Sequence, residues 1–205
     1  MKSLTPMAFD PAVAKAAVAT LQTQFATNNI RKERAHILPL FRSNPQVSMA
    51  AAKLLNFEAS YYAEELDLIG NFAADFAVCD HRGDESTILL IECEASGEKS
   101  AMRQNGKKAN KDFGDGLLRG FGQVVDWMRC IDDIRGTAAL ANTIKLPQGA
   151  NVKCFGLVLV GLDSDLTPDE KLRLQWLSAK LRLADSPVMV MTYTTFLLRV
   201  EARLT

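Results

Sequence analysis

Two apolar runs of strand length, separated by a turn-rich hexapeptide, constrain this chain more than any other stretch. The first is Asn71-Phe72-Ala73-Ala74-Asp75-Phe76-Ala77-Val78-Cys79-Asp80 and the turn is His81-Arg82-Gly83-Asp84-Glu85-Ser86. The second is Thr87-Ile88-Leu89-Leu90-Ile91-Glu92-Cys93-Glu94. Together they read as a β-hairpin. Side chains at i and i+2 share one face of a strand, so Glu92 and Glu94 point the same way. A turn centred on Gly83-Asp84 sets Asp75 opposite Glu92, and directly opposed residues have Cβ atoms ~5 Å apart. Three acids then crowd one patch of sheet, which costs stability unless a divalent cation or a shared proton compensates them. Strict alternation puts Phe72, Ala74, Phe76 and Val78 on one face and Asp75 with the small Ala73, Ala77 and Cys79 on the other, which leaves space above the acids.

A chain of 205 residues suits one α/β domain, alone or with a small helical extension. With 48% apolar and 23% charged residues it has ample material for a core and is not a disordered chain. The formal net charge is zero, so any contact with nucleic acid has to come from a local basic patch. One strip qualifies: Lys99, Arg103, Lys107, Lys108 and Lys111, with no acid between the first and the last. It lies in Gly97–Gly116, which has no periodicity and reads as a loop, either solvated or phosphate-binding. The four cysteines, Cys79, Cys93, Cys130 and Cys154, are widely spaced, three on expected strands and one on an expected helix. They read as buried reduced thiols, and with only His36 and His81 beside them a zinc site is not expected; neither histidine has an evident partner. The start of the sequence lacks a signal-peptide core and no apolar run reaches transmembrane length, so a reducing cytoplasm is the expected compartment.

Residues 10–25 read as a helix capped by Asp10 with Pro11 in its first turn, ended by Asn28-Asn29. A second helix is expected over Arg31–Phe41. A long amphipathic one follows Ser43-Asn44-Pro45 to about Leu66, with Val47, Ala51, Leu54, Leu55, Ala59 and Tyr62 on its apolar side. Ile69-Gly70 breaks into the hairpin. Beyond the basic strip, Asp115 to about Ile134 is an amphipathic helix with Leu117, Phe121, Val124, Met128 and Ile131 on one face. Gln123 sits on its flank, and Gly120 and Gly122 permit close approach. A connection over 136–151 leads to a strand buried on both faces, Val152–Gly161. A helix from Thr167-Pro168-Asp169-Glu170 to Leu183, a strand Val188–Met191 and a helix Thr194–Arg203 close the chain. This order predicts an α/β fold, a mixed sheet with helices on both faces. A cluster rich in oxygen and poor in histidine and cysteine suits Mg²⁺ or Mn²⁺ rather than zinc.

The Ala-Asp-Phe strand, the Ile-Glu-x-Glu strand, the helix with Gln123-Val124-Val125-Asp126-Trp127 and the ending Met189-Val190-Met191-Thr192-Tyr193 occur in an order that resembles the PD-(D/E)xK nuclease superfamily. More narrowly, the chain is similar to the Shedu-type immune nucleases of bacterial anti-phage defence, over roughly Ile37 to Arg203. The resemblance implies a restriction-endonuclease-like mixed sheet over residues 46–205 behind an N-terminal helical extension over 1–45. It implies a Mg²⁺- or Mn²⁺-dependent endonuclease with Asp75 and Glu92 holding the metal. Glu94, where most relatives carry a lysine, would act as general base or bind a second metal, and Gln123 would polarise water or contact a phosphate. An acid from the first core helix is also implied, with Glu58, Glu64 and Glu65 as candidates. Expected partners are DNA and further copies of the chain, and no membrane. Two alternatives stand beside this: Glu92 and Glu94 as the solvated end of a strand, and a catalytically degenerate module that binds nucleic acid or a partner protein.

Overall fold

The computed structural model describes residues 2–27, 30–68, 72–107, 110–135, 137–138, 141, 145 and 151–205. β1 (Thr5–Pro6) precedes α1 (Pro11–Thr27), whose first turn is capped as expected: the Asp10 carboxylate accepts the backbone N–H groups of Ala12 at 2.9 Å and Val13 at 3.1 Å. The second expected helix is two pieces, a π-helical turn at Glu33–Ile37 running into α2 (Leu38–Ser43), with α3 (Pro45–Ala51) next. The long helix expected to reach Leu66 stops after a 3₁₀ turn at Ala52–Leu55, where Asn56 takes the left-handed conformation (φ 59°). Tyr61–Leu68 is instead a strand, β2, added to the edge of the hairpin. Its burial alternates at Leu66 and Leu68 around exposed Glu65 and half-buried Asp67, and helical spacing of the preceding apolar residues masked that change of period.

The hairpin itself is β3 (Phe72–Arg82) and β4 (Glu85–Cys93), joined by Gly83-Asp84 with Gly83 at φ 59°. Its register pairs Arg82 with Glu85 and Phe76 with Ile91, where the ladder ends one residue short of Asp75 and Glu92. The stretch expected to be a loop contains a two-stranded ribbon, β5 (Met102–Arg103) with β6 (Asp112–Phe113). Then come α4 (Asp115–Ile134), β7 (Asn151–Leu159) and α5 (Pro168–Lys180), the last with a reciprocal Thr167–Glu170 capping box. α5 ends earlier than expected because Arg182–Leu183 forms β8 against β9 (Ser186–Met191), with Ala184 at φ 50° in the turn. α6 (Tyr193–Glu201), capped by Thr192, closes the fold. The Asn28-Asn29 and Ile69-Gly70 breaks, and all of the 136–151 connection except residues 137, 138, 141, 145 and 151, lie outside the described residues.

Seven strands form one sheet in the order β1-β2-β3-β4-β7-β9-β8, with β7 parallel to both β4 and β9 and the other pairs antiparallel. This is the expected restriction-endonuclease-like mixed sheet with helices on both faces. One buried cluster gathers Leu117, Trp127 and Ile131 of α4 with Ile88, Leu90, Val158 and Val190. The other gathers Val18, Phe41, Val47 and Phe196, from α1, α2, α3 and α6, with Phe76, Leu89, Ile91 and Leu157. The alternation expected along β3 does not hold. Ala74 and Phe72 pack with the α4 cluster, opposite to Phe76 and Val78, so the strand exchanges faces at Asp75. β2 makes the same exchange beside it, at Glu65 with φ 49°. Cys79, Cys93 and Cys154 are buried free thiols and Cys130 is half-buried.

Glycine does two different things on and beneath α4. A Cβ on Gly156 of β7 would collide with Val124 Cγ1, so Gly156 lets the helix lie on the sheet, whereas Gly122 has open space around it and no close approach to permit. Gly156→Ala is expected to destabilise the fold by about 1–3 kcal/mol through overpacking. Gly122→Ala should stabilise it by about 0.5–1 kcal/mol, because only backbone entropy changes there. Urea unfolding midpoints of the two variants, moving in opposite directions, check the assignment.

Candidate active site

The β3–β4 ladder stops at Phe76–Ile91, although β4 continues to Cys93 and β3 reaches back to Phe72. In the gap the Asp75 carboxylate accepts the backbone N–H of Cys93 at 2.9 Å, in place of a ladder carbonyl. Glu92 stands beside it, 3% exposed, hydrogen-bonded to Asp75 through one carboxyl oxygen while its buried Oε2 has no partner. Burial pushes Asp75 up to about 6, against the opposing hydrogen bond from Cys93 and with the negative charge of Glu33 adding to the rise. Burial and the charges of Asp75 and Glu94 push Glu92 up to about 10. Both shifts favour one proton held between the two carboxyls near neutrality.

Glu94 follows just past the end of β4, on the α4 side with Glu92, and is fully buried. Burial raises its pKa, opposed by Arg119 of α4, whose Nε donates to Oε1 at 2.8 Å and whose Nη2 contacts Oε2. The helix reaches this close because of Gly120: a Cβ there would lie 2.9 Å from Glu94 Cγ and 3.3 Å from Glu92 Cγ. Arg119 is therefore the helix's charged contact to the strand acids, and its pairing is with Glu94, not Glu92. Spacing could have revealed it, since Arg119 and Gln123 are i and i+4 on one helix flank.

Asp75, Glu92, Arg119 and Gln123 line a polar cavity of about 1270 Å³, together with Glu33, Arg34 and Arg42 from the N-terminal helices. None of the three candidate acids from the expected long helix stands on a helix. Glu58 pairs with Lys53 at 3.3 Å and lines a different cavity, with Pro6 and Phe9. Glu64 and Glu65 lie on β2 and pair with Lys2 and Arg42, Glu65 at the cavity rim. The acid that reaches the centre from the N-terminal helices is Glu33, which contacts Arg119 at 3.5 Å and raises Asp75, Glu92 and Glu94 alike. Its place depends on how the π-helical turn packs, which no local pattern encodes.

Within the basic strip, Lys99 and Lys107 are exposed. Arg103 is held by Asp115 at 2.7 Å and Lys111 by Glu170 at 3.1 Å; Lys108 lies outside the described residues. Both histidines have partners after all. His36 Nδ1 accepts the Arg31 N–H at 3.3 Å and His81 Nδ1 stands 3.0 Å from Ser86 Oγ, so each fixes local backbone or turn geometry.

Among the described residues, no three His, Cys, Asp or Glu side chains stand close enough to cage a metal ion. Asp75 and Glu92 nonetheless offer two adjacent carboxylates and one buried oxygen without a partner. That donor set fits Mg²⁺, which takes one or two carboxylates and leaves the remaining positions to water and phosphate. Among the described residues, no helix is long and apolar enough to cross a membrane.

Both carboxyls of the pair hold protons more tightly in the folded chain than at their ordinary values of 3.8 and 4.5. The folded state then binds more protons than the unfolded one, and stability falls as pH rises. For Asp75 the fall runs from about 4 to about 6, and for Glu92 it continues towards about 10. Metal-free protein should melt higher at pH 5 than at pH 8. Glu92→Gln, which mimics the protonated acid, should flatten that decline and leave the pH 5 melting temperature unchanged; thermal melts across a pH series check both.

The family of the Shedu protein SduA, C-terminal, matches residues 31–197. No curated protein matches the chain.

Proposed function

Because the chain belongs to the family of the Shedu protein SduA C-terminal domain, an anti-phage defence family, we propose that it is a Mg²⁺- or Mn²⁺-dependent nuclease cutting phosphodiester bonds of DNA. The observation that carries this reading is the Asp75–Glu92 pair, with its unpartnered Glu92 oxygen, in a large cavity that three arginines also line. Acids whose pKa values are raised by burial are unfavourable to the fold alone, and such clusters mark sites of chemistry. Asp75 and Glu92 would hold the metal. When bound, it would lower the pKa of a coordinated water and offset charge on the phosphate. Asp75 is already aimed by the Cys93 N–H, and Glu92 gives up its proton to bind. Gln123, on the helix flank that lines the cavity, orients water or a phosphate oxygen through its amide. Arg34, which lines the same cavity, attracts the polyanion.

A second reading has its own support. The absence of a three-ligand cage among the described residues and the capture of Glu94 by Arg119 favour a degenerate module that binds nucleic acid without cutting it. The purified protein incubated with plasmid, linear DNA and RNA, with Mg²⁺, Mn²⁺ or chelator, separates the two. Metal-dependent cleavage is expected, abolished in Asp75→Asn and Glu92→Gln. Mg²⁺ should also raise the melting temperature of wild type by mass action, more at pH 8 than at pH 6 because binding releases the Glu92 proton. Salt-sensitive DNA binding with no cleavage under any metal would select the degenerate module.

Lys99 and Lys107 are proposed to contact phosphates beside the cleft, while Arg103 and Lys111 are engaged in ion pairs with Asp115 and Glu170. Replacing Lys99 and Lys107 with Ser should reduce the log–log salt slope of DNA binding by ~0.9 for each phosphate released. The same change at Arg103 should leave the slope unaltered.

A further inference from the structure

Resting on the nuclease reading of this same cavity, we propose that Arg119 is the cation that meets the scissile phosphate, and that Glu94 is the residue that positions it. Glu94 is badly placed to hold a metal or take a proton from water. Its side chain has no exposed surface, and Arg119 engages both carboxyl oxygens through Nε and Nη2. Its backbone is fixed as firmly: the N–H donates to the Leu159 carbonyl at 2.8 Å and the carbonyl accepts the Tyr193 hydroxyl at 2.6 Å. Gly120 brings the helix against Glu94 Cγ. Glu94 lines neither of the two cavities that Arg119 lines.

Arg119 has the opposite character. Its side chain is 57% exposed, it lines the cavity beside Asp75, Glu92 and Gln123, and it also lines a neighbouring cavity of about 670 Å³ with Lys99. Two edges of the guanidinium are committed, to Glu94 and more loosely to Glu33, while Nη1 has no protein partner among the described residues. A fork–fork pair holds a guanidinium in one orientation and leaves its other donors aimed. Held from beneath by a buried carboxylate and open towards both cavities, Arg119 can donate to a phosphate oxygen at the Asp75–Glu92 pair without reorganising. The carboxylate at position 94 therefore contributes a cation to the site, through the helix above it.

The test separates this role from the nuclease reading by measuring binding and cutting independently. In an Asp75→Asn background, adding Arg119→Gln should lower the log–log salt slope for a fluorescein-labelled DNA duplex by ~0.9, one phosphate contact. In the otherwise native protein, Arg119→Gln should reduce cleavage about 10²-fold while the Mg²⁺-induced melting shift is retained. Arg119→Lys keeps the charge without the fork, and should keep the slope and recover part of the rate. Glu94→Gln should fall between wild type and Arg119→Gln, and the double variant should be no worse than Arg119→Gln. An unchanged salt slope, a Glu94→Gln variant that loses the Mg²⁺ shift, or one that loses more activity than Arg119→Gln would each overturn the proposal. A wild-type protein that cuts no nucleic acid would remove the nuclease reading, while the salt slope still decides whether Arg119 meets a phosphate.

Discussion

The hydrogen bond from the Cys93 N–H to the Asp75 carboxylate is the contact on which the arrangement of this molecule turns. It occurs where the ladder between β3 and β4 stops, and it lets a side chain do what a backbone carbonyl does elsewhere in the sheet. From that point β3 diverges, and β2 follows it through the left-handed conformation of Glu65. Both strands exchange faces there, so Ala74, Leu66 and Leu68 pack on the α4 side. The gap left in the sheet is the floor of the cavity. Buried backbone groups demand partners, and an acid that satisfies one becomes buried itself.

Beside the half-buried Asp75 the fold buries two more carboxylates, and it compensates the three by different means. Asp75 and Glu92 share a proton. Glu94 receives a guanidinium. Gly120 allows the helix carrying that guanidinium to descend onto the strand, and Val158 of β7 lies just as near the missing Cβ. Each compensation is local, yet each needs a partner from another element, which ties α4, β3, β4 and β7 together around the acids. The N-terminal helices join the same centre through Glu33. Negative charge from three elements is thus gathered around one partly protonated pair, an arrangement a cation would relieve and packing alone would not favour.

The sequence by itself determined the hairpin, its register and its two-residue turn, because the period-two pattern and Gly83-Asp84 leave one pairing that buries the apolar faces. It determined α4, the start of α5 with its capping box, the buried strand β7, and the placement of Asp75 beside Glu92. These follow from interactions within one element or across one short turn. The fate of residues 52–68 was decided by tertiary structure: Leu54, Leu55, Ala59 and Tyr62 fit a helix by spacing, and only the open edge of β3 makes Tyr61–Leu68 a strand. The exchange of faces at Asp75 was decided the same way, since alternation predicts the opposite side for Ala74. So were the arrival of Glu33 and the pairing of Arg119 with Glu94, contacts between residues 86 and 25 positions apart in the chain. The physical reason is range: periodicity and capping act over a turn or a strand, whereas the position of a charge relative to a distant one is set by how helices and sheet pack.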